Sequence, residues 1–253
     1  MRTPDPVAFS IFGIDIMWYA ILICSGMLLA TLLCCLRAPK YGLTSDQIIG
    51  FVTLCIPAGI IGARLYYVLF HWDWYEGDIL QILNTRAGGL AIHGGLIAGL
   101  GTAAIICAVK KINVLKVLDL AAPSVAFAQS IGRWGNYFNS EAHGGPTDLP
   151  WAIPVDGEMV HPTFLYESIW CFLLFLFLLC FDRWRKGRFN GQIILLYGIL
   201  YSVERFLVEA LRTDSLMIGP FKQAQVLSLA VIIICTIIYI ILKRTKTCYN
   251  ADK

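Results

Sequence analysis

Three charged residues occur at helical spacing in a mainly apolar stretch of the sequence: Arg205, Glu209 and Arg212. Their spacing places them on one face of a helix, since residues three and four apart are neighbours there. The carboxylate can orient Arg205, and a planar guanidinium group can bond two oxygens of a phosphate at once. The pattern indicates either a salt bridge on a helix surface or a site that binds an anion. Arg133 is a candidate second arginine for such a site.

Further ionisable side chains lie within apolar runs or at their ends. They are Tyr19, Arg64, His93, Arg133, His161 and Glu167. Such groups are costly in lipid and usually face a cavity or a partner. With the spans predicted below, all of them lie toward one membrane face, and Asp119 lies at the opposite one. Structural ion pairs would explain any single residue, but the set favours a polar, water-accessible cavity at the outer face.

The elements that must position these residues are membrane-spanning helices. Of the 253 residues, 58% are hydrophobic and 15% are charged, whereas a soluble domain has about one half and one quarter. Apolar runs of about 20 residues, the length that crosses a bilayer, recur along the chain. We therefore predict an all-α polytopic membrane protein of about seven helices, forming a single domain over 1–253. The predicted spans are 14–36, 48–70, 90–109, 117–131, 162–181, 191–211 and 223–242.

The distribution of positive charge predicts the orientation of these spans. Thirteen of the twenty Lys and Arg residues fall in 37–47, 110–116, 182–190 and 243–253, and five fall in the alternate segments. Since cytoplasmic loops are rich in Lys and Arg, the N-terminus is expected outside and the C-terminus in the cytoplasm.

Three segments depart from this simple pattern of spans and short loops. The predicted span 117–131 is short for a full crossing, so we expect it either to be tilted or to continue into the next loop. Segment 132–161 is the longest polar stretch and is expected to be external. Segment 71–89 is partly apolar, which is typical of a re-entrant or interfacial piece.

Other residue types exclude several kinds of site. Most of the nine cysteines lie in apolar runs without Cys-x-x-Cys spacing, so we expect packing residues and no disulfide framework. The four histidines are scattered, and we expect neither a metal nor another cofactor. The net charge of +3 is small and indicates no nucleic-acid partner.

His93 precedes a group of glycines that includes Gly95 and Gly99. Small residues at this spacing allow close packing of membrane helices, so the glycines have a structural interpretation. Histidine is the side chain that most often acts as a general base or acid, so His93 is a candidate for that role. A hydrogen-bonding anchor is an equally good interpretation of this residue.

The segment 131–141 carries the most specific pattern, and it reads IGRWGNYFNSE. Further blocks follow or precede it: DPVAF at 5–9, WY at 18–19, GARLYY at 62–67, HGGL at 93–96, HPTFLYE at 161–167, RFLVE at 205–209 and RTD at 212–214. In this order the blocks resemble bacterial prolipoprotein diacylglyceryl transferases. The resemblance extends from about residue 5 to residue 242, with no departure at the signature positions.

This resemblance implies a reaction, substrates and a location. The family moves the diacylglyceryl group of phosphatidylglycerol onto the thiol of the lipobox cysteine of a preprolipoprotein signal peptide. A thioether forms and glycerol 1-phosphate leaves, in the first step of lipoprotein maturation. The expected location is the bacterial cytoplasmic (inner) membrane, with membrane lipid around the protein and the site toward the outer face. The nucleophile is expected to come from the substrate.

The resemblance also implies site residues. The expected catalytic residues are Tyr19, His93, Arg133, Arg205 and Glu209. The expected phosphatidylglycerol-binding residues are Arg133, Asn136, Asn139, Glu141, Gly144 and Arg205. In this interpretation the two arginines stabilise the leaving phosphate, Glu209 orients Arg205, and His93 is the first candidate for the base that forms the thiolate. Tyr19 would bond a phosphate or ester oxygen.

Two other functions use similar features. A transporter or flippase for an anionic lipid would also need a polar cavity, arginines and glycines, but the chain lacks the repeated halves of many transporters. A transferase that moves phosphoglycerol would usually need metal-binding carboxylates, which this sequence does not show. The reaction product distinguishes the three.

Overall fold

The computed structural model describes residues 5–75, 78–85, 88–184 and 189–251, and the side chains up to Thr245. Some charged residues counted above lie outside the described residues: Arg2, Arg86, Arg185, Lys186, Arg188 and Lys253.

Most of the described chain is helical. The helices are α1 (Trp18–Arg37), α2 (Ser45–Phe70), α3 (Ile79–Leu83), α4 (Ile92–Lys110), α5 (Val114–Phe138), α6 (Thr163–Trp184), α7 (Gln192–Leu211) and α8 (Gln223–Ala251). Short 3₁₀ helices occupy Ala38–Tyr41 and Trp72–Trp74. Within the described residues, six helices are long and apolar enough to cross a membrane, and they correspond to α1, α2, α4, α5, α6 and α8. Helix α7 has 20 residues but is not among these six, because it carries three charged residues, Glu204, Arg205 and Glu209.

Three short antiparallel hairpins interrupt the helices. They pair β1 (Val7–Ile11) with β2 (Ile14–Met17), β3 (Ile153–Val155) with β4 (Glu158–Val160), and β5 (Met217–Ile218) with β6 (Phe221–Lys222). The first turn places both Phe12 and Gly13 at positive φ, which suits the twist of a two-residue hairpin turn. The prediction that the first span begins at residue 14 is therefore wrong, because β2 occupies 14–17 and the helix begins at Trp18.

Each of the seven predicted spans coincides with one long helix, but two helices extend well past their predicted ends, since α5 reaches Phe138 and α8 reaches Ala251. Helix α5 has 25 residues, so the expectation that the short fourth span could continue into the next loop is confirmed. Residues 132–138, which were assigned to the external polar segment, continue this helix to Phe138. The glycines and asparagine of this stretch lower its hydropathy without ending the helix.

The chain divides into two compact units, one of them Cys34–Val117. In this unit, α2 and α4 approach closely where both helices have glycine. A Cβ added to Gly62 would lie 2.7 Å from the carbonyl oxygen of Gly94, and a Cβ on Gly94 would lie 2.3 Å from that of Gly62. Only a residue without a side chain fits either position, so the structural interpretation holds for Gly94. A Cβ on Gly95 would lie 3.3 Å from the carbonyl oxygen of Gly59, whereas one on Gly99 would make only an ordinary contact, at 3.7 Å from that of Cys55.

The other unit contains the rest of the described chain, and its helix α7 is fixed at both ends. The buried Asp119 accepts hydrogen bonds from the backbone N–H groups of Gly191, Ile193 and Ile194, at 2.8–2.9 Å. A carboxylate at this end also interacts favourably with the helix dipole. At the other end, Lys222 Nζ donates to the carbonyl oxygens of Glu209 and Arg212, at 2.7 Å each. These contacts fix the register of the helix that carries Arg205.

Candidate active site

One buried carboxylate joins two arginines from different helices. Glu167 of α6 is fully buried, at 0% side-chain exposure. Its Oε2 lies 3.1 Å from Nη1 of Arg133 on α5, and its Oε1 accepts a 2.9 Å hydrogen bond from Nη1 of Arg205 on α7. A buried charge requires a well-placed partner, and here each oxygen has one. Glu167 therefore holds the two guanidinium groups side by side.

Each arginine has a second partner. Nη2 of Arg205 lies 2.7 Å from Oε2 of Glu209, one helical turn away. Nη2 of Arg133 donates a 3.1 Å hydrogen bond to the hydroxyl of Tyr201. A guanidinium group has five N–H donors, and the side chains of Arg133 and Arg205 remain 19% and 22% exposed. The buried carboxylates therefore orient the arginines and leave part of each one able to reach a ligand.

Hydrogen bonds between α5 and α6 fix the depth of Arg133. The indole Nε1 of Trp134 donates to Ser168 Oγ at 3.1 Å, and Ser168 Oγ donates to the carbonyl oxygen of Ser130 at 2.7 Å. Both contacts lie within one turn of Arg133 and Glu167 along their helices. The ion pair thus has little freedom to slide along either axis.

Tyr19 at the start of α1 packs directly on α5. A Cβ added to Gly135 would lie 2.3 Å from Cδ2 of the Tyr19 ring, so a glycine is required for this approach. Tyr19 is 37% exposed and interacts electrostatically with Arg133 and Glu141. The structure therefore brings Tyr19 to the same site as the arginine pair.

The chain that leaves α5 carries the predicted head-group contacts. Asn136 is half-buried in the last turns of the helix, whereas Asn139 and Glu141 are exposed. Nδ2 of Asn139 donates a 3.2 Å hydrogen bond to Glu141 Oε1. The backbone N–H of Glu141 donates to the carbonyl oxygen of Asn136 at 3.1 Å, which folds the chain back after the helix. These three polar side chains therefore follow Arg133 closely along the chain.

Gly144 is buried where this segment meets two helices. Its N–H donates to the carbonyl oxygen of His161 at 2.9 Å, just before α6, and it bridges to Arg212 beyond α7. A Cβ at this position would lie 2.7 Å from His161 Cβ and 3.1 Å from the carbonyl oxygen of Leu211. Packing against the ends of α6 and α7 thus explains why a glycine stands here.

Arg212 belongs to a different ion pair from Arg205. Helix α7 ends at Leu211, so the expectation that Arg205, Glu209 and Arg212 share one helix face is wrong for Arg212. Its guanidinium group instead donates to both carboxylate oxygens of Asp214, at 2.9 and 2.7 Å. This hydrogen-bonded pair lowers the pKa of Asp214.

Arg64 and His93 lie in the Cys34–Val117 unit. Arg64 is buried and donates hydrogen bonds to four backbone carbonyl oxygens, those of Gln81, Ile82, Gly88 and Gly89, at 2.6–2.9 Å. It therefore anchors the described part of segment 71–89 to α2. His93 is exposed in the first turn of α4, with its ring centroid 6.3 Å from that of Tyr66. Its role as a base stays a prediction.

Comparison with known proteins relates this geometry to a family. The family model of prolipoprotein diacylglyceryl transferase matches residues 6–241. A phosphatidylglycerol–prolipoprotein diacylglyceryl transferase of Clostridioides difficile (strain 630) is 53% identical over 225 residues, which cover 89% of this chain and 90% of the relative. The enzymes of the same name from Finegoldia magna and Clostridium novyi are 50% and 45% identical, over 95% and 93% of this chain and 96% and 95% of the relatives.

The chain belongs to the prolipoprotein diacylglyceryl transferase family. The matched range includes every site residue predicted from the sequence. In this family member, Glu167 joins Arg133 and Arg205, the two arginines that the sequence analysis proposed for one site.

Two residues of this transferase-family site were missed in the sequence. Tyr201 precedes Arg205 by one helical turn, so extending the Arg205–Glu209 face toward the helix start would have found it. Glu204 is an ionisable residue within a predicted span, and the rule that selected its neighbours selects it too. It is 2% exposed and lies within electrostatic range of Arg133, Arg205 and Glu167.

Proposed function

We propose that this protein transfers the diacylglyceryl group of phosphatidylglycerol to the thiol of a lipobox cysteine in a prolipoprotein. A thioether forms, and glycerol 1-phosphate leaves. The observation that carries this proposal is the arginine pair on Glu167 in a chain whose relatives are named for the reaction. An anionic phosphodiester is the substrate group that two partly exposed, preorganised guanidinium groups fit best.

Arg133 and Arg205 stabilise charge on the departing phosphate. The C–O bond on the diacylglycerol side breaks, its electron pair stays with the phosphate oxygen, and the monoanionic diester becomes a dianionic monoester. Fixed positive groups aimed at developing charge lower the barrier most, because they need no reorganisation during the reaction. Glu167 and Glu209 provide this fixed orientation, at 2.7–3.1 Å from the guanidinium nitrogens.

The sulfur attacks as a thiolate, so its proton must first go to a base. We assign this role to His93, which is exposed and carries an imidazole group, the side chain that most often acts as a general base. The sulfur then forms a bond to the glyceryl carbon as the phosphate leaves. No covalent intermediate on the enzyme is needed.

The remaining predicted residues bind and shape the lipid site. Tyr19 donates a hydrogen bond from its hydroxyl group to a phosphate or ester oxygen. Asn136, Asn139 and Glu141 contact the glycerol head group. Gly144 contributes through the close packing that its missing side chain allows, which sets the position of the segment after α5.

The protein lies in the bacterial cytoplasmic membrane with seven spans, an external N-terminus and a cytoplasmic C-terminus. The excess of Lys and Arg in alternate loops supports this orientation. Helix α7 is the sixth span in chain order and brings the total to seven, and its charged residues face the polar site. The arginine pair then lies toward the outer face, where an exported signal peptide presents its cysteine.

The test is direct formation of the product. The purified protein is incubated with phosphatidylglycerol and a synthetic lipobox peptide, and diacylglyceryl-peptide is measured by mass spectrometry. We expect a thioether product that disappears when the peptide cysteine is replaced by serine. Arg133→Ala should lower kcat/KM by about 10²–10³-fold, whereas Arg244→Ala, which removes an exposed arginine of α8, should not.

Absence of product while phosphatidylglycerol remains bound would overturn the transferase. Movement of the lipid across a reconstituted bilayer would then favour a transporter.

A further inference from the structure

Glu204 differs from the other carboxylates around the arginine pair. It is buried on α7, with 2% exposure, and neither of its carboxylate oxygens has a hydrogen-bond partner among the described residues. Glu167 and Glu209, by contrast, lie 2.7–3.1 Å from guanidinium nitrogens. The reaction as proposed above leaves this carboxyl group without a role.

A buried carboxyl group without hydrogen bonds is more stable neutral than ionised. Removing a carboxylate from water is costly, and such a group takes up a proton when no partner compensates the charge. The positive charge nearby is already neutralised, because Arg133 and Arg205 are matched by Glu167 and Glu209. An ionised Glu204 would give these five groups a net charge of −1, and a protonated Glu204 gives zero.

The groups that face Glu204 come from three helices. Arg133 approaches from α5, Glu167 and Cys171 from α6, and Tyr201 and Arg205 from its own helix. Two of these groups are positive and already paired, one is negative, and two are neutral in their ordinary state. This environment does not supply Glu204 with a charge partner of its own.

We propose that Glu204 is a positioning residue that carries a proton while phosphatidylglycerol occupies the arginine pair, so that its ionisation weakens binding of the anionic lipid. This inference rests on the proposed function. The lipid brings one negative charge into the cluster, and the departing phosphate brings a second. A neutral Glu204 leaves Arg133 and Arg205 available to that charge, whereas an ionised one competes for it.

The coupling between proton and lipid is reciprocal. If protonation of Glu204 favours the lipid, then bound lipid favours protonation by the same factor. KM for phosphatidylglycerol is therefore lowest at pH values where Glu204 is protonated, and it rises as pH increases through its ionisation. Because one proton is linked, the rise is at most about tenfold per pH unit. Loss of the His93 base would lower kcat instead of raising KM.

The test compares pH profiles of kcat and KM for the full-length protein, with phosphatidylglycerol in micelles and a lipobox peptide. In Glu204→Gln the side chain keeps its shape and is permanently neutral. We expect the KM of this variant for phosphatidylglycerol to stay low at the pH values where the KM of the parent rises. Glu158→Gln, at an exposed glutamate of β4, serves as the matched control and should reproduce the parent profile.

Coincident KM profiles for Glu204→Gln and the parent would overturn the inference. If Glu204→Gln does not fold, proton uptake by the parent on binding phosphatidylglycerol is measured by calorimetry in two buffers of different ionisation enthalpy. Uptake that grows with pH supports the proposal, and its absence throughout overturns it. A parent protein that makes no diacylglyceryl-peptide at any pH refutes the proposed function instead, so the two failures are distinguishable.

Discussion

The two units of this protein both carry arginine within long helices, but the arginines have different partners and different exposure. Arg64 directs its N–H groups at four backbone carbonyl oxygens and is buried. Arg133 and Arg205 are held by carboxylates and a tyrosine hydroxyl, and they remain partly exposed. A charge within an apolar helix therefore does not by itself mark a reactive site. Its partners decide whether it fixes the backbone or remains able to bind a ligand.

The first test of this distinction removes the carboxylate that Arg133 and Arg205 share. Glu167→Gln leaves both guanidinium groups without their common anchor, and loss of one partner from a buried ion pair costs about 3–5 kcal/mol of stability. We expect kcat to fall about a hundredfold, because reacting groups displaced by about 1 Å lose that much. Lipid binding should be kept, since the net charge of the cluster becomes more positive by one.

The measurements are kcat and KM for diacylglyceryl transfer and the thermal unfolding temperature in detergent. Glu158→Gln is again the control, because that glutamate is exposed and far along the chain from the arginines. An unchanged kcat in Glu167→Gln would mean that Arg133 and Arg205 do not need their buried anchor. The claim that their partners orient them for the reaction would then be wrong.

The second test of the distinction weakens the hydrogen bonds of Arg64 in the Cys34–Val117 unit. Arg64→Lys replaces five N–H donors in a planar fork by three on a point charge. Two or more of the four carbonyl contacts should be lost, which lowers the free energy of unfolding by about 3 kcal/mol. Amide hydrogen exchange of residues 78–85 should accelerate. At a temperature where the variant is folded, kcat should change little.

Arg244→Lys, a substitution of the same type at an exposed arginine, controls for the loss of the guanidinium group itself. If Arg64→Lys keeps its stability and exchange rates but has a much lower kcat, Arg64 would act in the reaction, as proposed for Arg133 and Arg205. That result would contradict the distinction drawn from its hydrogen bonds.

The sequence predicts the helices of both units well, since apolar runs of sufficient length have few alternatives. It also identifies the arginine pair, Glu167 and Glu209, because charged residues in such runs are rare. It does not reveal which partner each charge takes. In the sequence, Arg64 and Arg133 are both arginines within or next to a predicted span. Only the fold shows that Arg64 donates to carbonyl groups and that Arg133 pairs with a carboxylate.

Element boundaries are less predictable, for physical reasons that differ along the chain. Residues 14–17 are apolar enough to be taken as the start of a span, but they pair with β1 across a turn at Phe12 and Gly13. Residues 132–138 contain polar and glycine positions, yet packing keeps them helical. Arg212 lies one residue past the end of α7, where the helical spacing rule no longer applies.

The finest distinction concerns two glycines on α5 that the sequence presents as equal. A Cβ on Gly135 would meet the ring of Tyr19 at 2.3 Å, whereas a Cβ on Gly132 has no atom within 4 Å among the described residues. Gly135→Ala should therefore displace Tyr19, cost about 1–3 kcal/mol of stability through overpacking, and lower kcat/KM about tenfold. Gly132→Ala removes a flexible residue from a helix and should be neutral or slightly stabilising.

A double-mutant cycle tests whether the clash with Tyr19 causes the effect. In Tyr19→Ala the space beside Gly135 is free, so adding the methyl group there should cost little further stability, and the coupling between the two sites should be about 0.5–3 kcal/mol. Thermal unfolding of the four proteins measures it. Additive losses would mean that Gly135 matters to α5 itself, and the placement of Tyr19 against the arginine-bearing helix would no longer explain that glycine.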